Sequence, residues 1–200
     1  MWVLRSSPPS PFGRKVKIGA ALCGLSDRLH IEPTDTTDPA DPIRRDNPLG
    51  KIPALILEDG AVLYDSRVII EWLDAQGGGG RIIPTGGERF RALTLQALAD
   101  GIMDAALLQV YEKRWREAEV QHRPWVDHQA GKVDRGLAAL EVSPPHLAGP
   151  PHVGQIALAC ALGYLDLRFE GTWRREHPRL LGWLDDFAAA VPSFEATRAH

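Results

Sequence analysis

The spacing of apolar residues divides this chain into two unlike halves. Trp2–Arg5 is a short apolar run stopped by the cluster SSPPSP, and it predicts a strand. From Phe12 onward Val16, Ala20 and Cys23 recur at helical spacing, with Ile18 and Leu22 beside them. This predicts an amphipathic helix that ends at Gly24. The alternating LHIE of Leu29–Glu32 predicts a second strand, and the Thr-, Asp- and Pro-rich residues 33–47 a loop or an irregular helix. Two apolar runs, Ala54–Leu57 and Ala61–Tyr64, flank Asp59-Gly60 and predict a hairpin. Asp65 or Ser66 then caps a helix with the stripe Val68, Ile69, Trp72 and Leu73, which Gly77–Gly80 stops.

Beyond Gly87 the period is helical throughout. RFRALTLQALADGIMDAALLQVYEKRWREAE reads as one helix of about 30 residues, and further helices are predicted over Trp125–Leu140, Val153–Leu167 and Pro178–Ala190. No strand is expected after Leu63–Tyr64. A mixed α/β half over residues 1–78 and an all-helical half over 88–200 follow, with 79–87 as linker and the tetraglycine as a flexible connector. The tetraglycine is not a phosphate loop, because no Gly-Lys-Ser/Thr follows it.

Composition removes several function classes. A net charge of −3 without a basic run argues against a nucleic-acid partner. The two cysteines, Cys23 and Cys160, lie far apart inside apolar patterns, as buried residues of a reducing compartment do. The seven histidines show no metal spacing, and His122 and His128 read as surface residues, so no metal is expected. MWVLRSSPP lacks the apolar core of a signal peptide, and no apolar run approaches the ~20 residues of a membrane span. A soluble, cytoplasmic protein without a membrane partner is expected.

Several separated motifs, in order, resemble the cytosolic glutathione S-transferases of bacterial type. SPPSPFGRKVKI resembles their Ser-Pro-Phe/Tyr-x-Arg-Lys-Val opening, and NPLGKIPALILEDGAVLYDSRVIIEWLD resembles their glutathione-binding half. ALADGIMDAALL, ALGYLDLRF and HPRLLGWLDDFAAAVPSFEAT resemble stretches of their helical half. The resemblance implies an α/β thioredoxin-like N-terminal domain, an all-α C-terminal domain and a homodimer. It also implies a detoxifying transferase that activates glutathione, as co-substrate, for attack on a small apolar electrophile, with no permanently bound cofactor.

The chemistry so implied needs a thiolate. Lowering the pKa of a thiol from about 8.5 by ~2 units takes about 2.7 kcal/mol. One hydroxyl hydrogen bond and one helix N-terminus, at about 1–2 kcal/mol each, are of that size. By spacing, Ser10 before Pro11 is a helix N-cap. By resemblance it is the catalytic donor to the thiolate, with Ser7 second and Ser6 third. The resemblance further makes Pro53 a cis-proline and Ile52 the backbone partner of the cysteinyl unit. Lys51 is then either a solvated lysine or a partner of the glycyl carboxylate. Asp65 and Ser66, at a helix start, suit the ammonium and carboxylate of the γ-glutamyl unit.

Phe12, Tyr111 and Trp115 are candidates for the electrophile pocket, although aromatics one turn apart also serve as core. Asp100 and Asp104 share a helix face, where the resemblance implies an acid that reaches the partner subunit's glutathione. One departure stands out: where the family carries Ser/Thr-x-x-Asp, this chain has His152-Val153-Gly154-Gln155, a pairing expected to weaken the helix start by ~1 kcal/mol. Two rival functions remain: a non-catalytic glutathione or ligand carrier, and a glutathione-dependent thiol reductase. The reductase needs Cys where this chain has Ser10.

Overall fold

In the computed structural model, which describes residues 1–199, the opening apolar run is the strand Trp2–Ser6 (β1), followed by the helix Pro11–Leu22 (α1). Pro11 suits the first turn, where no N–H is needed. The chain leaves the helix through Gly24, whose φ of 71° is the left-handed conformation glycine adopts most cheaply. Leu29–Pro33 (β2) then lies parallel to β1, Trp2 opposite Leu29, as the helical crossover allows. The short helix Ile43–Asp46 (α2) interrupts the Thr/Asp/Pro-rich segment, and the hairpin Ala54–Ile56 (β3) and Val62–Leu63 (β4) turns at Gly60. β3 pairs antiparallel with both β1 and β4, which gives a four-stranded sheet of order β2-β1-β3-β4.

The second helix of this half, Ser66–Gln76 (α3), is capped by Asp65, whose Oδ1 accepts from the Arg67 N–H at 2.9 Å. Its inward stripe is Ser66, Ile69, Ile70, Leu73 and Asp74; Trp72 flanks it. Val68, expected on that stripe, is instead 47% exposed, and Ile70 takes the inward place, against Gly19 of α1. At the mouth of β1 the packing is tight. A Cβ on Gly13 would lie 2.1 Å from Ser6 Oγ, so only glycine lets the first turn of α1 rest on the end of β1.

The tetraglycine is not a flexible connector. Gly78, Gly79 and Gly80 have φ of 102°, 77° and 74°, and the buried Asp74 carboxylate accepts from the N–H groups of Gly80, Arg81, Ile82 and Ile83. Glycine is needed there because the chain must coil around one carboxylate. Ile82 and Ile83 are then buried, and the Ile82 carbonyl accepts from the Val153 N–H at 2.7 Å.

The helical half comprises Gly87–Trp115 (α4), Arg123–Val142 (α5), Val153–Phe169 (α6), Trp173–Glu176 (α7), Pro178–Ala190 (α8) and Pro192–Ala196 (α9). Residues 153–162 of α6 are all buried, so this helix forms the axis of the bundle. Contrary to the sequence expectation, α4 is long and apolar enough to cross a membrane by length and composition alone. Here it is a core helix: Ala99, Ile102, Met103 and Ala106 are buried together with the polar Gln96, Asp100, Gln109 and Glu112. One continuous apolar core, from Trp2 to Phe194, runs through both halves.

Arg14 on α1 joins the halves at a second point. Its guanidinium donates to the Phe194 carbonyl and, at 3.3 Å, to Thr197 Oγ1, and it lies 3.9 Å from the centroid of the Phe194 ring.

The atypical start of α6 is a working cap. His152 Nδ1 accepts from the Gly154 N–H at 3.1 Å, and Gln155 Oε1 accepts from the His152 N–H at 2.8 Å. The expected weakening is therefore absent from the geometry: a neutral imidazole offers the same lone pair as a hydroxyl. Burial lowers the His152 pKa below its ordinary 6.5, with Glu88 opposing. The unfolded chain thus binds this proton more readily than the folded one. The contribution of the cap, about 1 kcal/mol, is complete above pH 6.5 and is lost as pH falls below it. Urea midpoints measured from about pH 7.5 down to about 5.5 will fall more steeply for the wild type than for His152→Ser, whose hydroxyl cap does not titrate. Parallel slopes would remove His152 from the pH response.

Candidate functional site

The loop after β1, the Lys51–Pro53 segment, the start of α3 and the facing sides of α4 and α6 enclose a cavity of about 230 Å³. Ser10 stands at its floor as the N-cap of α1, with its Oγ accepting from the Gly13 N–H at 3.1 Å. That bond uses a lone pair and leaves the hydroxyl proton free to donate. The capping and donor readings of Ser10 are therefore compatible. Ser7 lines the same cavity, and its carbonyl accepts from the Ser10 N–H at 3.1 Å. Ser6 does not line it: its side chain is buried against Gly13 at the end of β1.

On the next wall the Ile52–Pro53 peptide is cis, as is Tyr64–Asp65. The buried Asn47 shapes this wall: its Nδ2 donates to the Lys51 carbonyl at 2.8 Å and its Oδ1 accepts from the Leu49 N–H at 3.1 Å. Lys51, Ile52, Pro53, Asp65 and Ser66 all line the cavity, Ser66 as the first residue of α3, where helix N–H groups favour an anion.

Beneath this wall lies an ionic cluster that sequence reasoning missed. Lys15, wholly buried on α1, donates to Asp100 Oδ1 at 2.7 Å, and Arg67 on α3 donates to Asp100 Oδ2 at 2.9 Å. Burial lowers the Lys15 pKa, with Asp100 opposing, and the bond to Asp100 raises that of Arg67. The available signal was Lys15, a cation three residues from both Phe12 and Ile18 on the apolar side of α1. Both oxygens of Asp100 are thereby engaged within the chain. Asp104, one turn on, faces the cavity, and partial burial beside Asp100 raises its carboxyl pKa against the pull of Arg67 and Lys51.

The other end of the cavity is formed by Phe12, Leu107, Tyr111, Arg114, Tyr164 and Arg168. Burial raises the Tyr164 phenol, with Arg168 opposing. Trp115 is not part of this wall. It is 61% exposed as the last residue of α4 and lines a separate surface groove with Val120 and Trp125. Nor is the wall purely apolar, as a small apolar electrophile would favour: two guanidiniums interrupt it.

Residues 9–76 match the family model described as glutathione S-transferase, N-terminal domain, and residues 123–186 match glutathione S-transferase, C-terminal domain. An uncharacterized GST-like protein of Escherichia coli (strain K12), YibF, is 33% identical over 183 residues, which is 89% of each chain. A glutathione transferase family member from Pseudomonas fluorescens Pf-5, solved with bound glutathione, is 42% identical over the full length of both chains, with a TM-score of 0.90. A structure from the same organism holds S-(propanoic acid)-glutathione, again at 42% identity over both full lengths, with a TM-score of 0.87. A glutathione S-transferase from Methylobacillus flagellatus KT with glutathione bound is 34% identical over both full lengths, with a TM-score of 0.92. Matched in both halves, in order and on the same fold, the chain belongs to the glutathione S-transferase family.

Proposed function

We propose that this protein is a cytoplasmic, homodimeric glutathione transferase that binds glutathione over residues 1–78 and a small electrophile against residues 88–200. The observation that carries the reading is the Ser10 hydroxyl, placed at the N-terminus of α1 on the cavity floor with its proton unused. In this reading Ser10 donates to the sulfur of glutathione, and the positive end of α1 adds to the stabilisation of the thiolate. Ile52 offers backbone hydrogen bonds to the cysteinyl unit, Lys51 meets the glycyl carboxylate, and Asp65 and Ser66 meet the γ-glutamyl end. The glutathione held by the relatives from Pseudomonas and Methylobacillus supports glutathione as the ligand.

The rival thiol reductase lacks its nucleophile. Burial pushes the Cys23 thiol up to about 11 and the Cys160 thiol up to about 12, and neither lines the cavity. The thioether carried by the Pseudomonas relative likewise supports conjugation over disulfide exchange.

The test is the ultraviolet absorbance of the thiolate in the binary complex. Bound glutathione will titrate about 2 units below the free thiol's pKa of about 8.5. Tight binding with an unshifted thiol, and no turnover of any electrophile, would make the protein a carrier.

A further inference from the structure

We infer that the electrophile taken by this cavity carries a carboxylate, which Arg114 and Arg168 seat; the inference rests on the transferase reading. Leu107, Tyr111 and Arg114 fall at helical spacing on one face of α4, and Tyr164 and Arg168 are one turn apart on α6. The two helices bring both guanidiniums to the same end of one cavity, beside two phenols and Phe12. Neither arginine is in an ion pair among the described residues.

Of the surrounding acids, Asp104 lines the cavity without an ion pair, nearer Arg67 and Lys51, whose charges pull on it, and the others are committed elsewhere. Asp35, close enough to feel Arg114, accepts from the Thr37 N–H at 2.8 Å and the Thr37 hydroxyl at 2.6 Å. Asp100 is held by Lys15 and Arg67, and Asp65 caps α3. Arg114 lies 5.3 Å from the centroid of the Tyr111 ring, a contact that favours a guanidinium over a freely rotating ammonium. Two planar forks without a carboxylate partner, Arg168 resting on the Tyr164 phenol, recognise a carboxylate held at the end of a flat or short apolar body.

The reaction itself needs nothing from the arginines. With a chlorodinitrobenzoate, the glutathione sulfur donates a pair to the chlorine-bearing ring carbon. The C–S bond forms, the C–Cl bond breaks with its pair leaving on chloride, and the thiol proton passes to solvent. The carboxylate opposite the chlorine is a handle.

The experiment compares kcat/KM for chlorodinitrobenzoate with that for its neutral methyl ester, in the wild type and in Arg114→Gln/Arg168→Gln. Each rate is divided by that of the uncatalysed reaction with glutathione, since the ester activates the ring more than the carboxylate does. The wild type will then prefer the acid by about tenfold or more, the preference will shrink with added salt, and the double variant will bring the normalised ratio near one. A wild type that prefers the ester, or a ratio unchanged in the double variant, overturns the inference. So does an equal fall for acid and ester with a raised KM for glutathione, which would assign the arginines to glutathione itself.

If the wild type turns over neither compound, the transferase reading fails and the inference is decided by binding. Calorimetric titration with the aryl glutathione conjugate in its acid and ester forms will then show tighter binding of the acid by the wild type but not by the double variant. Equal binding of the two forms by the wild type overturns it.

Discussion

Ser10→Ala lowers kcat/KM for conjugation of an aryl halide by about 100-fold, the usual consequence of removing one donor from a developing or stabilised anion. The dissociation constant of glutathione at pH 7 rises by no more than about fivefold, because in the proposed pose the γ-glutamyl and glycyl ends keep their partners. The pKa of the bound thiol rises toward its free value. Since Ser10 also caps α1 through the Gly13 N–H, the variant loses about 1 kcal/mol of stability as well. Ser10→Thr separates the two effects. It restores the hydroxyl, and with it both the cap and the low thiol pKa, whereas a purely structural role would restore stability without the thiol shift. Full activity in Ser10→Ala, with a loss in Ser7→Ala, would move the assignment to Ser7.

The second large effect is on folding. Asp100→Asn leaves Lys15 buried without a counter-charge and releases Arg67 from the wall beside Ser66. Breaking a buried pair from one side costs about 3–5 kcal/mol, and the urea midpoint will fall accordingly. Removing the buried pair together is cheaper than removing one member, since the third, Arg67, is half exposed. Lys15→Met combined with Asp100→Leu will recover much of the loss, because no charge is then buried alone. A double variant as unstable as the sum of the two singles would show that the pair is not coupled.

How much of this was legible in the chain follows the range of the interactions involved. The strand Trp2–Ser6, the hairpin around Gly60, the helix start at Asp65 and the long α4 were written in local periodicity and turn residues, and the structure shows them close to their expected bounds. The phase of α3 was misjudged at Val68, because a cap and a stripe one residue out of register look alike without the facing helix α1. The tetraglycine read as loose because the carboxylate that organises it, Asp74, lies in the preceding helix and looks like an ordinary surface acid. In the cavity, residues in consecutive motifs (Ser10, Lys51–Pro53, Asp65 and Ser66) could be named from the chain. Of its other ionic groups, Asp100 and Asp104 could be named, though for a different role, and Lys15, Arg67, Arg114 and Arg168 could not. Lys15, Arg67 and Asp100 meet from three helices, and Arg114 and Arg168 from two. Trp115 failed for the complementary reason: spacing puts it one turn from Tyr111, but does not say which of two adjoining hollows its side chain lines.

The contact between Arg14 and α9 bears on how the molecule is made. Arg14 sits one turn beyond Ser10, yet the carbonyl that receives its guanidinium belongs to Phe194, 180 residues later. During vectorial synthesis the sheet half can collapse early, but the helix that positions Ser10 keeps a buried arginine without its acceptor until residue 194 has left the ribosome. The turn of α1 that follows Ser10 is therefore braced only when α9 docks, and a residue lining the cavity is coupled to a contact made 180 residues further along the chain.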